Sequence, residues 1–227
     1  TFTSGSNSDR LVFGYTIERL YYPGENDADG ISTVANPIVV PDNRTIKDLA
    51  GNEADLTTYA GMGNDVNYMV DTIPPNLGSV GILSGTCVRN NFLNPGDNVS
   101  FTATFSETVI FDNSSGGSLT LTFAMDSDNR TVPYKSGSGT NQLVFGYTIK
   151  PINTSGENDA DGISTGANPL VLSNPGTIKD EAGNNAILTY GGANNPNFKV
   201  DTIRPTVNSV GILSGTCVRN NFLNPND

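Results

Sequence analysis

The chain has 227 residues and a net charge of −11 at pH 7, from 12 basic and 23 acidic residues. A surface this acidic repels a phosphate backbone, so nucleic-acid binding is not expected. The sequence contains no histidine, which removes the commonest general base and metal ligand. It also has no run of about 18 apolar residues, so no membrane span is expected.

The first recognisable element is the heptapeptide LVFGYTI at residues 11–17, which recurs 132 residues later at residues 143–149. The segment GENDADGIST, which starts at residues 24 and 156, and the segment TIKD, at residues 45 and 177, keep the same offset of 132. The later segments VDTI and SVGILSGTCVRNNFLNP recur at an offset of 130, so a variable loop has lost two residues. Self-similarity at a fixed period of about 130 residues indicates tandem domains.

The junctions between the repeats carry proline. VDTIPP at residues 70–75 and VDTIRP at residues 200–205 each end a predicted strand with a residue that cannot donate to a sheet. Such a sequence is typical of a short, stiff linker. We therefore expect the C-terminal part of one repeat at residues 1–73, a complete repeat at 74–204, and the N-terminal part of the next at 205–227.

Strand patterns dominate the complete repeat. Residues 99–105 and 118–125 alternate apolar and hydroxyl side chains, and residues 142–149 and 207–213 are rich in β-forming residues. No segment shows a sustained helical period. Short strands with frequent turn signals predict an all-β chain in which each repeat is a two-sheet sandwich.

The most distinctive cluster of acids is the pattern Glu-x-Asp-x-Asp-Gly, which occurs once in each repeat. Carboxylates at alternate positions before a turn glycine can converge on a hard cation, so calcium binding is one expectation. An EF-hand is excluded because its twelfth position holds asparagine in both copies. An Asx-type turn, in which these side chains accept from their own backbone, is the alternative. The candidate ligands are Glu25, Asp27, Asp29, Glu157, Asp159 and Asp161, with Asp48, Asn52, Asp71, Asp180, Asn184 and Asp201 as further oxygen donors.

Two cysteines, Cys87 and Cys217, occupy equivalent positions in successive repeats. A domain of this size is about 35 Å across, whereas a disulfide needs Cα atoms within about 7 Å. The two cysteines therefore cannot pair within one chain. Each is expected either to be a buried free thiol or to form an interchain disulfide.

Catalysis is not expected. Solvated turn carboxylates rarely form the acid and base pair of a glycosidase, and the chain has no nucleophile elbow or phosphate-binding glycine loop. A glycan- or protein-binding module that uses the variable loop is the alternative to a structural role. This loop spans residues 57–67 and 189–197, and an exposed Tyr59 or Tyr190 would support it.

GENDADGIST, TIKDEAGN at residues 177–184, the VDT-x-x-P junction and FSETV at residues 105–109 resemble the bacterial Ig-like tandem repeats of large cell-surface and adhesin proteins, including the SwmB-like cyanobacterial type. This resemblance implies tandem Ig-like β-sandwich repeats outside the cell, on a cell surface or in a secreted filament. It implies a stalk, adhesin or filament building block, often stiffened by calcium. The expected partners are other copies of the chain, adjacent repeats, or a surface glycan or protein receptor.

Overall fold

The computed structural model describes residues 1–18, 25–42, 44–85, 89–150, 157–212 and 222. All regular structure in these residues is β. The strands, in chain order, are β1 (Phe2–Ser4), β2 (Val12–Phe13), β3 (Asn26–Asp27), β4 (Val70–Asp71), β5 (Leu77–Gly85), β6 (Phe92–Leu93), β7 (Asn98–Asp112), β8 (Leu119–Met125), β9 (Asp128–Ser136), β10 (Thr140–Thr148), β11 (Asn158–Asp159), β12 (Ser164–Thr165), β13 (Leu170–Leu172), β14 (Thr177–Lys179), β15 (Ala193–Asn194) and β16 (Lys199–Asp201). The all-β prediction is confirmed, and the described residues include no helix long and apolar enough to span a membrane.

The main sheet has nine strands and lies within residues 77–194. Its path runs β14-β7-β10-β9-β8-β12-β15, with β5 paired to β7 and β13 paired to β8. The rings of Phe101 on β7 and Phe123 on β8 lie 4.5 Å apart, although two strands separate them in this order. Because neighbouring strands are about 4.8 Å apart, the sheet must curve until its two halves face each other. One continuous curved sheet therefore encloses the core, and the tandem Ig-like sandwich stays a proposal.

Alternation of side chains explains why these strands enclose a core. In β8 the residues Leu119, Leu121, Phe123 and Met125 are buried, while the intervening residues are partly exposed. A strand with this period of two places one apolar face inward. Full burial of each such side chain contributes about 1.5–3 kcal/mol to folding.

Residues 1–73 repeat the pairing of the second half of the complete unit. Strands β1 and β2 pair Phe2 with Phe13, and β9 and β10 pair Tyr134 with Phe145, 132 residues later. Strands β3 and β4 likewise pair as β11 and β16 do. The repeated segments therefore form the same strand pairs in both places, although the partner strand β1 differs from its counterpart in sequence.

The predicted β-rich segment at residues 207–213 shows no strand over its described residues 207–212. Its counterpart β5 has nearly the same sequence and forms a ladder with β7 from Leu77 to Gly85. A strand needs a partner for its backbone groups, and the described residues contain only one segment of the β7 type, which β5 already pairs. The strand prediction for this segment was therefore wrong in this chain.

Candidate functional site

Glu157, the first acid of the second GENDADG loop, is a buried hydrogen-bond acceptor. Its carboxylate accepts from the Tyr147 hydroxyl, from Arg130 Nε at 3.0 Å and from the Lys150 backbone N–H at 2.7 Å. Burial, followed by the hydrogen bond to Glu157, raises the pKa of Tyr147 to about 12. Glu157 thus ties the loop to strands β9 and β10.

Asp159 and Asp161 follow in the same loop. The Asp159 carboxylate is buried and accepts from the backbone N–H of Gly162 at 2.7 Å and of Asp126 at 3.2 Å. Burial, more than the hydrogen bond shared with Asp161, raises the pKa of Asp159 above its ordinary value. Asp159 therefore accepts from the backbone N–H three residues on, at a glycine whose φ is +104°, and this bond to its own loop supports the turn alternative.

The first GENDADG loop makes some of the same bonds nearer to solvent. Glu25 accepts from the Tyr15 hydroxyl and from the Glu18 backbone N–H, and Asp27 accepts from the Gly30 N–H at 2.9 Å. The Asp29 carboxylate accepts from the Asn64 side chain. The described residues do not gather the three acids of either loop into one group with mutually close oxygens. Calcium binding at these loops therefore stays a prediction.

A different acidic cluster lies where the first unit meets the complete one. Carboxylate oxygens of Asp71, Glu107 and Asp180 all lie within 4.8 Å of one another, and we call this set the junction cluster. Asp71 ends β4, Glu107 lies in the middle of the long strand β7, and Asp180 directly follows β14. Strand β14 pairs with β7 next to Glu107, from Lys179 opposite Ile110, which brings Asp180 to this position.

Hydrogen bonds hold two members of the junction cluster in place. The buried Asp180 carboxylate accepts from the backbone N–H of Asn184 at 2.7 Å and from its side-chain amide at 2.8 Å. The same Asn184 amide donates to the backbone carbonyl of Asp71 at 3.1 Å, and an Asp71 carboxylate oxygen accepts from the Ile73 N–H. One asparagine therefore connects the last strand of the first unit to the turn of the second.

Without a counter-charge, repulsion between its three carboxylates makes the junction cluster energetically unfavourable. Burial raises the pKa of Glu107, and the neighbouring charges of Asp71 and Asp180 raise it further. A raised carboxyl pKa means that the ionised form is disfavoured at this position. A bound cation or a proton would relieve the repulsion.

Sequence reasoning identified part of this cluster. Asp71 and Asp180 were among the further oxygen donors predicted for calcium, and the structure brings these two together across the junction. Glu107 was missed as a ligand, although it lies in the FSETV segment. Asp71 lies 36 residues before Glu107 and Asp180 lies 73 residues after it. The spacing of these acids along the chain therefore gives no sign that they meet.

The remaining predicted sites are placed as follows. Cys87 and Cys217 lie outside the described residues, so a buried free thiol and an interchain disulfide both stay predictions for each of them. Tyr59 in the first variable loop is exposed, whereas Tyr190 in the second packs partly against the core. The variable loop therefore does not present the same aromatic platform in both copies.

No family model, no curated protein and no solved structure matches the chain.

Proposed function

We propose that the chain is a structural repeat of an extracellular surface protein, in which Ig-like units in tandem act as a stalk, adhesin or filament building block. The observation that carries the proposal is the junction cluster, because Asp71 belongs to one repeat while Glu107 and Asp180 belong to the next. A group shared between consecutive repeats supports a role in which the relative placement of those repeats matters. Neighbouring repeats and further copies of the chain are the proposed partners.

The first residues of the complete unit, which follow the linker directly, are bonded within that unit. The Ile187 N–H donates to the Pro75 carbonyl at 2.8 Å, and the Leu77 N–H donates to the Ile187 carbonyl at 3.0 Å. The Asn76 N–H donates to the Ser106 hydroxyl at 3.0 Å. These bonds fix the chain immediately after Pro74, and proline restricts its backbone further. A short, proline-rich linker that runs directly into a bonded strand favours a stiff rod over a flexible string.

Calcium is the proposed counter-ion of the junction cluster. Ca²⁺ binds six to eight oxygens at about 2.3–2.6 Å, so carboxylate oxygens within 4.8 Å of one another can share one ion. Extracellular calcium modules bind with Kd values of about 10⁻⁴–10⁻³ M, and we expect the cluster to fall in that range. Binding would remove the repulsion around Glu107 and join the two units.

Two of the three members of the junction cluster, Asp71 and Asp180, have counterparts elsewhere in the sequence. Asp201 ends β16 as Asp71 ends β4, and Asp48 precedes Asn52 as Asp180 precedes Asn184. The Asp48 carboxylate accepts from the Asn52 N–H and side-chain amide, the same two bonds that Asn184 makes to Asp180. A unit with both an Asp71-type and an Asp180-type carboxylate can present one to the next unit and the other to the preceding one, which suits linear assembly.

Hydrogen exchange on the full chain tests this proposal. With Ca²⁺ present, the amides of Leu77, Asn184 and Ile187 should exchange more slowly than with a chelator, because the ion fixes the junction. The Thr122 amide, which donates to the Pro169 carbonyl at 2.8 Å away from the junction, is the internal control. Equal protection of the three junction amides in both conditions would refute calcium stiffening.

A further inference from the structure

The contact between the first unit and the complete unit is made by two short segments. One is the turn at residues 180–184, which we call the receiving turn. The other is the end of the first unit at residues 71–73, which we call the strand end. They meet where the Asn184 side-chain amide donates to the Asp71 backbone carbonyl at 3.1 Å. The chain contains a second copy of each segment, so each can be compared with and without this bond.

The turn at residues 48–52 is the copy of the receiving turn in the first unit. The Asn52 backbone N–H and side-chain amide both donate to the Asp48 carboxylate at 2.8 Å. Asn184 makes the same two bonds to Asp180, at 2.7 and 2.8 Å. Within the described residues, Asn52 donates to no group outside its own turn. The receiving turn therefore keeps the same internal hydrogen bonds whether or not a strand end is bonded to it.

The segment at residues 201–203 is the copy of the strand end in the complete unit. The Asp71 and Asp201 carboxylates each accept from the backbone N–H two residues later, both at 2.9 Å. The Thr72 and Thr202 hydroxyls each donate to the carbonyl of the first acid in the GENDADG loop of their own unit, at 2.9 and 2.8 Å. In the part of the chain that the structure describes, only the first of these strand ends accepts from an asparagine amide. The strand end thus also has one geometry with and without its neighbour.

We propose that Asn184 is the positioning residue of the contact between consecutive units, and that the receiving turn and the strand end dock as preformed parts without a bound cation. The Asn184 amide bonds to Asp180, which fixes it in its own unit, and it bonds to Asp71 across the junction. Groups that are fixed before they meet lose little conformational entropy on docking, so more of the hydrogen-bond energy remains. This inference rests on the repeat organisation proposed above, but it does not depend on calcium.

The acceptor in this contact is a backbone carbonyl, so the bond requires no particular side chain at position 71. The carboxylates of the junction cluster, in contrast, repel one another when no counter-charge is present. The Asn184 bond therefore opposes this repulsion in the chelated chain. Chelator is the condition in which the contribution of Asn184 can be measured apart from that of an ion.

Residual dipolar couplings, measured by NMR with chelator present, report whether the two units keep one relative orientation. We expect a single alignment tensor to describe both residues 44–73 and residues 89–150 in the unchanged chain. Asn184→Ala should lose this common tensor, because it removes the bond to Asp71. Asn52→Ala is the matched control, since it removes the same amide bond within a turn but none between units, and it should keep the common tensor.

A second measurement on the chelated chain needs no substitution. Nuclear Overhauser contacts should connect the Asn184 side-chain amide protons with protons of Asp71 and Thr72. If Asn184→Ala unfolds the complete unit, these contacts decide the question, and their absence overturns the proposal. Residues 44–73 that fit no single tensor in the unchanged chain would also overturn it.

The variants and the ion give separate outcomes. A common tensor that persists in Asn184→Ala, or that is lost equally in both variants, would overturn the positioning role. A common tensor that appears in the unchanged chain only after calcium is added would overturn it too, while the calcium proposal would stand. Conversely, a common tensor in chelator together with unchanged hydrogen exchange on adding calcium would support Asn184 and refute calcium stiffening.

Discussion

Glu107→Gln should change stability in opposite directions with and without calcium. The substitution keeps the shape of the side chain and one acceptor oxygen but removes a charge from the junction cluster. Without a cation, the loss of charge relieves repulsion from Asp71 and Asp180, so the variant should be more stable than the original chain. With calcium, the variant loses a charged ligand, so it should gain less from the ion.

The size of the first effect follows from distance. Two unit charges 4.8 Å apart repel by about 3 kcal/mol at an effective dielectric constant of about 20 and by about 1 kcal/mol in water. Glu107 is only partly buried, so solvent and salt screen it and the lower part of that range applies. We expect Glu107→Gln to stabilise the chelated protein by about 1–2 kcal/mol.

The size of the second effect follows from mass action. A ligand present at 100 times its Kd stabilises the folded state by about 2.7 kcal/mol. Removal of one of three carboxylates should weaken calcium binding by about 10-fold or more, which corresponds to about 1.4 kcal/mol of that gain. Urea unfolding of both chains, in saturating calcium and in chelator, measures both effects.

Glu181→Gln provides the control. Glu181 follows Asp180 in sequence, is exposed and lies outside the junction cluster, but its substitution changes the net charge by the same amount. Its stability should change by less than about 0.5 kcal/mol in either buffer. The reasoning fails if Glu107→Gln destabilises the chelated chain, or if both variants lose the calcium effect equally.

Three further predictions follow from the duplicated sequence. Glu157→Ala should destabilise the chain by about 3–5 kcal/mol, because it removes a buried ion-pair partner. Glu25→Ala should cost about 1 kcal/mol or less. Urea unfolding that shows equal losses for the two variants would contradict this. Phe145→Ala should lower the free energy of unfolding by about 3–5 kcal/mol, whereas Phe13→Ala, at an exposed side chain, should lower it by about 1 kcal/mol or less. Thermal unfolding measures both, and a larger loss at Phe13 would be inconsistent with its exposure. In an absorbance titration Tyr147 should ionise near its pKa of about 12, and Tyr147→Phe should remove this late step. Since this pKa is raised from 10.0, the protonated Tyr147 stabilises the fold fully below pH 10, and this contribution disappears as the pH rises through 12.

Much of the local structure was predictable from the sequence. The alternation at residues 118–125 predicted β8 to within one residue, since a side-chain period of two is a property of the strand itself. The Glu-x-Asp-x-Asp-Gly pattern predicted a turn at its glycine, and Gly162 has the positive φ that glycine adopts readily. These features depend on neighbours in sequence.

The junction cluster could be predicted only in part from the sequence. Two of its members, Asp71 and Asp180, could be named as oxygen donors, but their meeting with Glu107 depends on the pairing of β14 with β7 and on the path of the linker. Such contacts join residues that are far apart in the chain. The GENDADG loop was expected to gather three acids, yet its first acid is used by Tyr147, Arg130 and a backbone N–H.

The two copies of LVFGYTI show most clearly which features depend on neighbours in the sequence and which depend on residues far away in the chain. Each copy belongs to a strand pair in the same register, and a Ser-Gly-Ser sequence begins the turn before both copies. Burial differs between the copies: Phe145 is fully buried in the unit where its strand pairs with β7, while Phe13 is half exposed. Burial depends on the partner strands that the fold brings to a surface, and identical residues with different partners therefore have different environments.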